Sequence, residues 1–131
     1  MTRAQATFEV KTWEETPYDP VEGAPKLTRA RVTKVFHGDL EGEGTVEYLM
    51  LYREDGSASF VGLERVVGRL GGRAGSFVLQ HSGTFEAGAA KTTWSVVPGS
   101  GTGSLRGLRG QGGFGSGHAQ SYAMTLEYDF A

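Results

Sequence analysis

The sequence predicts an all-β protein folded as a closed antiparallel meander barrel of about eight strands. Apolar residues recur at every second position between clusters of glycine, which is the spacing of half-buried strands. Helical spacing is scarce along the whole chain. A long antiparallel sheet in a small domain closes into a barrel or folds as a sandwich, and a small barrel encloses side chains or one small ligand.

The alternating segments follow one another closely, and we predict strands at residues 6–13, 26–36, 45–52, 59–70, 75–85, 92–97 and 121–130. Residues 16–25 hold three of the four prolines and are predicted to be a loop. Residues 37–44, rich in glycine and acidic residues, are predicted to be a turn region. The same is expected of residues 53–58, which contain an Asp-Gly pair.

Length and composition limit the classes of function. The 131 residues predict one domain, residues 1–131, and the absence of cysteine excludes disulfides and thiolate metal sites. A net charge of −2 argues against a nucleic-acid partner. No apolar run is long enough to cross a bilayer, and the first ten residues do not read as a signal peptide, so we expect a cytoplasmic protein without a membrane partner.

Residues 99–117, GSGTGSLRGLRGQGGFGSG, contain a G-x-G-x-x-G pattern at Gly110, Gly112 and Gly115. A dinucleotide site needs a strand before this pattern and a helix after it. Here a strand of period two follows, so no nucleotide or other cofactor is expected. We predict instead a folded corner at one end of the barrel, held by Leu105 and Leu108.

Residues 60–85 can be read as one hairpin. A two-residue turn at Gly72 and Arg73 would place Glu64 directly opposite His81 on an otherwise apolar, inward face. Directly paired Cβ atoms are about 5 Å apart, within reach of a hydrogen bond or an ion pair. The other pairs predicted on this face are Phe60 with Phe85, Gly62 with Gly83, Val66 with Leu79, and Gly68 with Phe77.

Two interpretations of Glu64 and His81 stay open. They form a polar pair that fixes the register of the barrel wall, or they line a ligand cavity and supply acid–base chemistry or an anchor for a polar group. For the second interpretation the candidate ligand-binding residues are Glu64, His81, Phe60, Phe77, Phe85 and Trp94. No catalytic residue is assigned.

Two further groups of residues have a spacing that brings their side chains to one face of a strand. His37, Asp39, Glu41 and Glu43 stand at alternate positions, but glycines interrupt them, so a solvated acidic hairpin end is expected and no metal site. The row Tyr122, Met124, Leu126, Tyr128 and Phe130 is predicted to face the core. If it faced outward it would form the interface of a homo-oligomer.

The segments FVGLERVVGRLGGRAGSFVLQHSGTF and WSVVPGSGTGSLRGLRGQGGF resemble a bacterial family described only as a domain of unknown function. Its members have a calycin-like barrel similar to that of plant allene oxide cyclase. The shorter stretch GSGTGSLRGLRG also resembles a segment of dirigent proteins, which share that barrel. The resemblance implies an eight-stranded barrel with an apolar interior. The catalytic acid of the cyclase lies near its N-terminus and matches no position here; Glu9, Glu14 and Glu15 are candidates by neighbourhood only, and no role is carried over to them.

These observations lead to two expectations about function. The first is a small barrel that binds an apolar or amphipathic ligand, and that would be an isomerase or cyclase if it is an enzyme. The second is a non-enzymatic structural or interaction module that self-associates through its outer faces. The sequence does not decide between them.

Overall fold

The computed structural model describes residues 1–116 and 121–131, whose strands form a closed barrel. The strands are β1 (Thr2–Pro17), β2 (Lys26–Gly38), β3 (Leu40–Tyr52), β4 (Ala58–Leu70), β5 (Arg73–Glu86), β6 (Ala89–Val96), β7 (Leu108–Ser116) and β8 (Tyr122–Phe130). Each strand pairs with the next in antiparallel fashion, and β1 pairs with β8 to close the barrel. The predicted all-β meander barrel is therefore confirmed.

Within residues 1–116 and 121–131, no helix has the length and the apolar character needed to span a membrane.

The barrel interior is divided into two apolar clusters. We call the first the lower core; it lies toward the β2–β3 and β4–β5 turns and is built around Phe36, Leu70, Phe77 and Leu126. We call the second the upper core; it lies toward the β1–β2 and β3–β4 loops and comprises Ala30, Val32, Val46, Tyr48, Met50 and Phe60. Since alternate side chains of a strand face opposite sides, one row from each strand builds these clusters.

The predicted corner closes the lower end. A short 3-10 helix, Gly103–Leu105, places Leu105 in the lower core, and Leu108 is buried beside it at the start of β7. The corner is tied to β5, because the Thr102 amide donates to the Ser76 carbonyl over 2.9 Å. Gly117, the last residue of the glycine-rich stretch, lies outside the described residues.

Three boundaries differ from the prediction. Residues 108–116 form strand β7 where only a corner was predicted, and β1 runs on through Thr16 and Pro17. The turn at residues 37–44 was also wrong, because the reversal takes place at Asp39 and β3 begins at Leu40. Several glycines of these stretches lie inside strands, at places where two backbones approach closely. A Cβ on Gly42 would collide with the carbonyl oxygen of Val67.

The hairpin register is also corrected. The β4–β5 turn consists of Gly71 and Gly72, both with positive φ, as a type I′ turn requires. Leu70 therefore pairs with Arg73, and every predicted pair shifts by two residues. The observed pairs include Phe60 with Gly83, Gly62 with His81, Glu64 with Leu79, and Val66 with Phe77.

The inward face of this hairpin was nonetheless predicted correctly. A shift of two residues preserves the side of the sheet on which each side chain lies. Glu64 and His81 are both fully buried and lie on one face, as diagonal neighbours and not as a direct pair. Phe60 lies over a strand glycine, because a Cβ on Gly83 would be 2.5 Å from the Phe60 ring.

The apolar row of β8 belongs to the core, as predicted. Met124, Leu126 and Tyr128 are buried, and Tyr122 and Phe130 pack against the lower core. The alternative in which this row faces outward and forms an oligomer interface is therefore wrong.

The close approach of β7 to its neighbours yields a prediction. A Cβ on Gly112 would collide with the Thr125 carbonyl oxygen, whereas a Cβ on Gly115 would meet only the Ala90 carbonyl oxygen at 4.0 Å. We expect Gly112→Ala to lower the free energy of unfolding by about 1–3 kcal/mol, as overpacking does. Gly115→Ala, in the same strand, is the matched control and should change it by less than about 1 kcal/mol. Urea denaturation measures both, and equal effects would contradict the close approach.

Candidate functional site

A cavity of about 280 Å³ lies in the upper half of the barrel. Most of its wall is aromatic or aliphatic. The lining residues are Phe8, Val10, Trp13, Val32, Lys34, Tyr48, Met50, Tyr52, Ala58, Phe60, Phe85, Ala90, Thr92, Phe114 and Tyr122. A concave, mainly apolar space with a few polar groups is typical of small-molecule sites, and this volume lies near the lower end of their usual range.

A β-bulge in β1 brings Trp13 to the cavity. Val10 pairs with Lys34 but Thr12 pairs with Thr33, so Lys11 is an extra residue on β1. Before the bulge the even-numbered residues face inward, and after it the odd-numbered ones do. Trp13 and Glu15 thereby reach the inner face, where they pair with Val32 and Ala30.

Glu15 organises the mouth of the cavity. Its Oε2 accepts hydrogen bonds from the hydroxyls of Thr28 and Tyr52, both over 2.6 Å, and its Oε1 accepts one from the Trp13 indole over 2.9 Å. Partial burial opposes ionisation of Glu15, but these three donors lower its pKa. Burial and the neighbouring carboxylate raise the pKa of Tyr52 to about 12, so Tyr52 remains a donor. Glu15 thus holds two lining side chains in place.

Four polar side chains meet at the floor of the cavity, at the boundary between the upper and lower cores. Glu64 Oε1 lies 3.3 Å from Lys34 Nζ and 2.7 Å from His81 Nε2. His81 Nδ1 lies 3.3 Å from the Tyr48 hydroxyl. Lys34 is 2 % exposed, and Glu64 and His81 are 0 % exposed. Lys34 and Tyr48 line the cavity, whereas Glu64 and His81 lie directly behind them.

The aromatic walls also surround the ammonium group. Lys34 Nζ lies 4.4 Å from the ring centre of Phe8 and 5.2 Å from that of Phe114. Cations are attracted to ring faces at such distances, most strongly where water is excluded. These rings partly replace the water that Lys34 loses on burial.

Burial and charge set the protonation states of the floor. Burial lowers the pKa of Lys34, while Glu64 acts against that shift. Burial alone would raise the pKa of Glu64, but Lys34 and His81 together bring it below the ordinary value. Burial, joined by the charge of Lys34, lowers the pKa of His81 although Glu64 favours its protonation. At neutral pH these shifts give a carboxylate at Glu64 and a neutral imidazole at His81, and the 3.3 Å contact with the Glu64 carboxylate favours the ammonium form of Lys34.

The directions of the hydrogen bonds follow from these states. A carboxylate only accepts, so the His81 proton is on Nε2 and is donated to Glu64. Nδ1 is then an acceptor, and the Tyr48 hydroxyl donates to it. Burial raises the pKa of Tyr48 well above its ordinary value, so Tyr48 remains a phenol.

Two buried polar atoms at the site lack a partner within the described part of the chain: Glu64 Oε2 and Thr92 Oγ1. Gly44 provides the space for the Glu64 carboxylate, because a Cβ at this position would collide with Oε2. Thr92 lines the cavity. Buried polar atoms are rarely left unsatisfied, so Glu64 Oε2 and Thr92 Oγ1 are the two buried side-chain atoms of the described residues with unused hydrogen-bonding capacity.

The sequence-predicted candidates are distributed around this site. Phe60 and Phe85 line the cavity, the latter being 38 % exposed at its rim. Glu64 and His81 belong to the polar floor, and the Trp94 ring packs against His81 with 5.1 Å between ring centres. Phe77 lies in the lower core, away from the cavity.

Sequence reasoning missed Lys34, Tyr48 and Thr92. Lys34 stands between Val32 and Phe36 in a strand whose alternation was recognised, so period two alone places it inside. Tyr48 follows Val46 on the inner face of β3 by the same rule. The signal for Lys34 was available, because a charge at an inward position of an apolar row is itself informative.

The acidic segment after β2 holds no comparable arrangement. His37, Asp39 and Glu41 are exposed, as predicted, and the Asp39 carboxylate accepts a hydrogen bond from the main-chain N–H of Gln5 over 2.9 Å. Across residues 1–116 and 121–131, no three His, Asp or Glu side chains converge as a metal site requires.

Comparisons with known proteins give a family but no activity. Residues 4–128 match the family described as "Protein of unknown function (DUF3224)". The chain is similar to a protein of unknown function from the DUF3224 family of Shewanella oneidensis MR-1, whose crystal structure was determined at 1.84 Å resolution. The identity is 35 % and the TM-score 0.83, covering 100 % of this chain and 98 % of that one. No curated protein matches the chain.

The buried imidazole predicts a pH dependence of stability. The pKa of His81 is lower in the folded than in the unfolded protein, so the unfolded state binds more protons between the two values. The free energy of unfolding should therefore fall as the pH is lowered from about 7.5 to about 5.5, through the unfolded pKa near 6.5.

Urea denaturation over this range measures the effect. His81→Gln should flatten the slope, whereas His37→Gln, at an exposed position, should preserve it. A wild-type stability that is constant or rises toward pH 5.5 would show that His81 is not held neutral.

Proposed function

Since the chain belongs to the DUF3224 family, whose description names no activity, we propose its function from its own geometry: it binds a small, mainly apolar carbonyl compound in the upper cavity and supports acid–base chemistry on it. The observation that carries this proposal is the combination of an apolar cavity with a polar floor that still has hydrogen bonds to donate.

The polarity of the floor determines which ligand group fits. A lysine ammonium has three N–H donors, and Lys34 uses one toward Glu64. Thr92 adds to the same cavity wall a hydroxyl that lacks a partner among the described residues. A ligand oxygen that accepts hydrogen bonds suits a cavity with these donors.

The charge balance favours a neutral acceptor over an anionic one. Lys34 and Glu64 already neutralise each other, and His81 is uncharged. A carboxylate ligand would bring a further negative charge into a cavity with aromatic walls, where an uncompensated charge is costly. A ketone or aldehyde accepts the same hydrogen bonds without that cost.

We expect 2-octanone to bind saturably and more tightly than octanoate, which has a chain of the same length but carries a charge. Thr92→Val should weaken 2-octanone binding by about 2- to 10-fold, the contribution of one ordinary hydrogen bond. Thr93→Val, the adjacent outward position, is the matched control and should leave the affinity unchanged. Amide chemical-shift titration by NMR measures all three.

The absence of saturable 2-octanone binding would overturn this proposal. Equal effects of Thr92→Val and Thr93→Val would show that the Thr92 hydroxyl does not meet the ligand.

We propose as a second candidate function that the outer wall of β3 and β4 associates with a second copy of the chain. Four apolar side chains on this wall are 45–56 % exposed: Leu49, Val61, Leu63 and Val67. Large contiguous apolar patches are rare on the surface of monomers. This apolar stripe is bordered by two basic and two acidic residues: Arg31, Arg65, Glu43 and Glu47. A patch that holds both charges can match itself across a two-fold axis.

Leu63→Glu tests this second candidate. It places a charge at the centre of the stripe, opposite Glu47, and should shift a dimer to monomer with at least a 10-fold weaker association, about 1.4 kcal/mol. Thr93→Glu, on the outer face of β6, is the control. Sedimentation equilibrium measures the association, and a wild-type protein that is monomeric throughout would contradict this candidate.

A further inference from the structure

We propose that the cavity catalyses proton removal from the carbon next to a bound carbonyl group, with Tyr48 receiving the proton through a relay to His81 and Glu64, and Lys34 holding the enolate oxygen. This inference rests on the proposed function. It adds the reaction, the substrate class of enolisable ketones and aldehydes, and a role for each polar group of the floor.

The relay is continuous and leads away from the cavity. Tyr48 lines the cavity, its hydroxyl lies 3.3 Å from His81 Nδ1, and His81 Nε2 lies 2.7 Å from Glu64 Oε1. A carboxylate that orients an imidazole, which in turn accepts from a hydroxyl facing the ligand, is the arrangement that activates a weak base or nucleophile. Distances of this size shorten when a ligand is bound.

The step balances in protons and electrons. The C–H bond next to the carbonyl breaks, and its electron pair forms a carbon–carbon double bond. The carbonyl π pair moves to oxygen, giving an enolate. The released proton adds to the Tyr48 oxygen while the Tyr48 proton moves to His81 Nδ1. Tyr48 ends as a phenol, as it began, so the step never needs a free tyrosinate in this buried position.

Both charges that develop have a partner already in place. The enolate oxygen meets the Lys34 ammonium, and the His81 imidazolium meets the Glu64 carboxylate at 2.7 Å. The starting site contains one ion pair and the product site contains two. Preorganised charges of this kind, in a space shielded from water, are the largest contribution to many enzymatic rate enhancements.

A role in structure alone leaves part of this arrangement unexplained. A polar pair that fixed the barrel register would need only Glu64 and one partner. The floor instead joins four side chains from the four consecutive strands β2 to β5, and two of these side chains, Lys34 and Tyr48, reach the cavity wall. The groups that face His81 are Glu64 from β4, Lys34 from β2, Tyr48 from β3, and the rings of Trp94 and Phe114.

The test is deuterium incorporation into 2-octanone in heavy water, followed by mass spectrometry. The wild-type protein should accelerate exchange at the two carbons next to the carbonyl. Tyr48→Phe should lower that rate at least about 100-fold, the usual contribution of a general base, while changing the affinity for 2-octanone less than about 3-fold. Tyr128→Phe, in the lower core, is the matched control and should exchange at the wild-type rate.

Two further variants separate catalysis from structure. Lys34→Met should slow exchange and weaken binding together, since Lys34 contacts the same oxygen in both states. The exchange rate of the wild-type protein should fall as the pH is lowered and His81 becomes protonated. His81→Gln should slow exchange and remove this pH dependence. A purely structural role of His81 would leave the shape of this pH profile unchanged.

The outcomes distinguish this inference from the proposed function. If 2-octanone binds saturably but exchanges no faster than in buffer, or if Tyr48→Phe exchanges at the wild-type rate, the inference is wrong and ligand binding stands. If 2-octanone does not bind, both are wrong. Accelerated exchange that depends on Tyr48 supports both.

Discussion

The ion pair of Lys34 and Glu64 is the constraint on which the rest of the interior depends. Removing two charges from water costs several kcal/mol for each ion, and their attraction offsets this only where other groups satisfy the remaining hydrogen-bonding capacity. The barrel supplies such groups from several strands: His81 for the carboxylate and aromatic rings for the ammonium. Gly44 leaves room for the second carboxylate oxygen, which has no partner among the described residues. Only a closed barrel brings such distant parts of the chain around one pair.

The pair also explains why the interior has two halves of different character. Below it, the lower core is closed by the corner around Leu105 and by the short turns of β2–β3 and β4–β5. Above it, side chains line a space without filling it. The bulge at Lys11 brings Trp13 and Glu15 inward, and Glu15 then fixes Trp13 and Tyr52 at the mouth. A solidly packed upper half would stabilise the barrel more, since unfilled space costs stability.

Much of the fold was predictable because period two is a strong signal. It identified seven of the strands and the inward positions of Phe60, Glu64 and His81. It missed β7, because glycines at alternate positions leave no side chains to alternate. It could not reveal the bulge in β1, because an extra residue is visible only against its partner strand. The turn of the β4–β5 hairpin was misplaced because two adjacent glycines allow more than one two-residue turn.

For the same reasons, only part of the site could be predicted from the sequence. The predicted register was wrong by two residues, so it placed Glu64 and His81 on the correct face but as a direct pair, where the structure has a diagonal one. These two residues come from β2 and β3, beyond the hairpin, so no argument confined to residues 60–85 could include them. Their inclusion changes the chemistry. Glu64 and His81 alone form a polar contact. The four together form a hydrogen-bonded row from Tyr48 at the cavity wall through His81 to Glu64, with Lys34 beside Glu64.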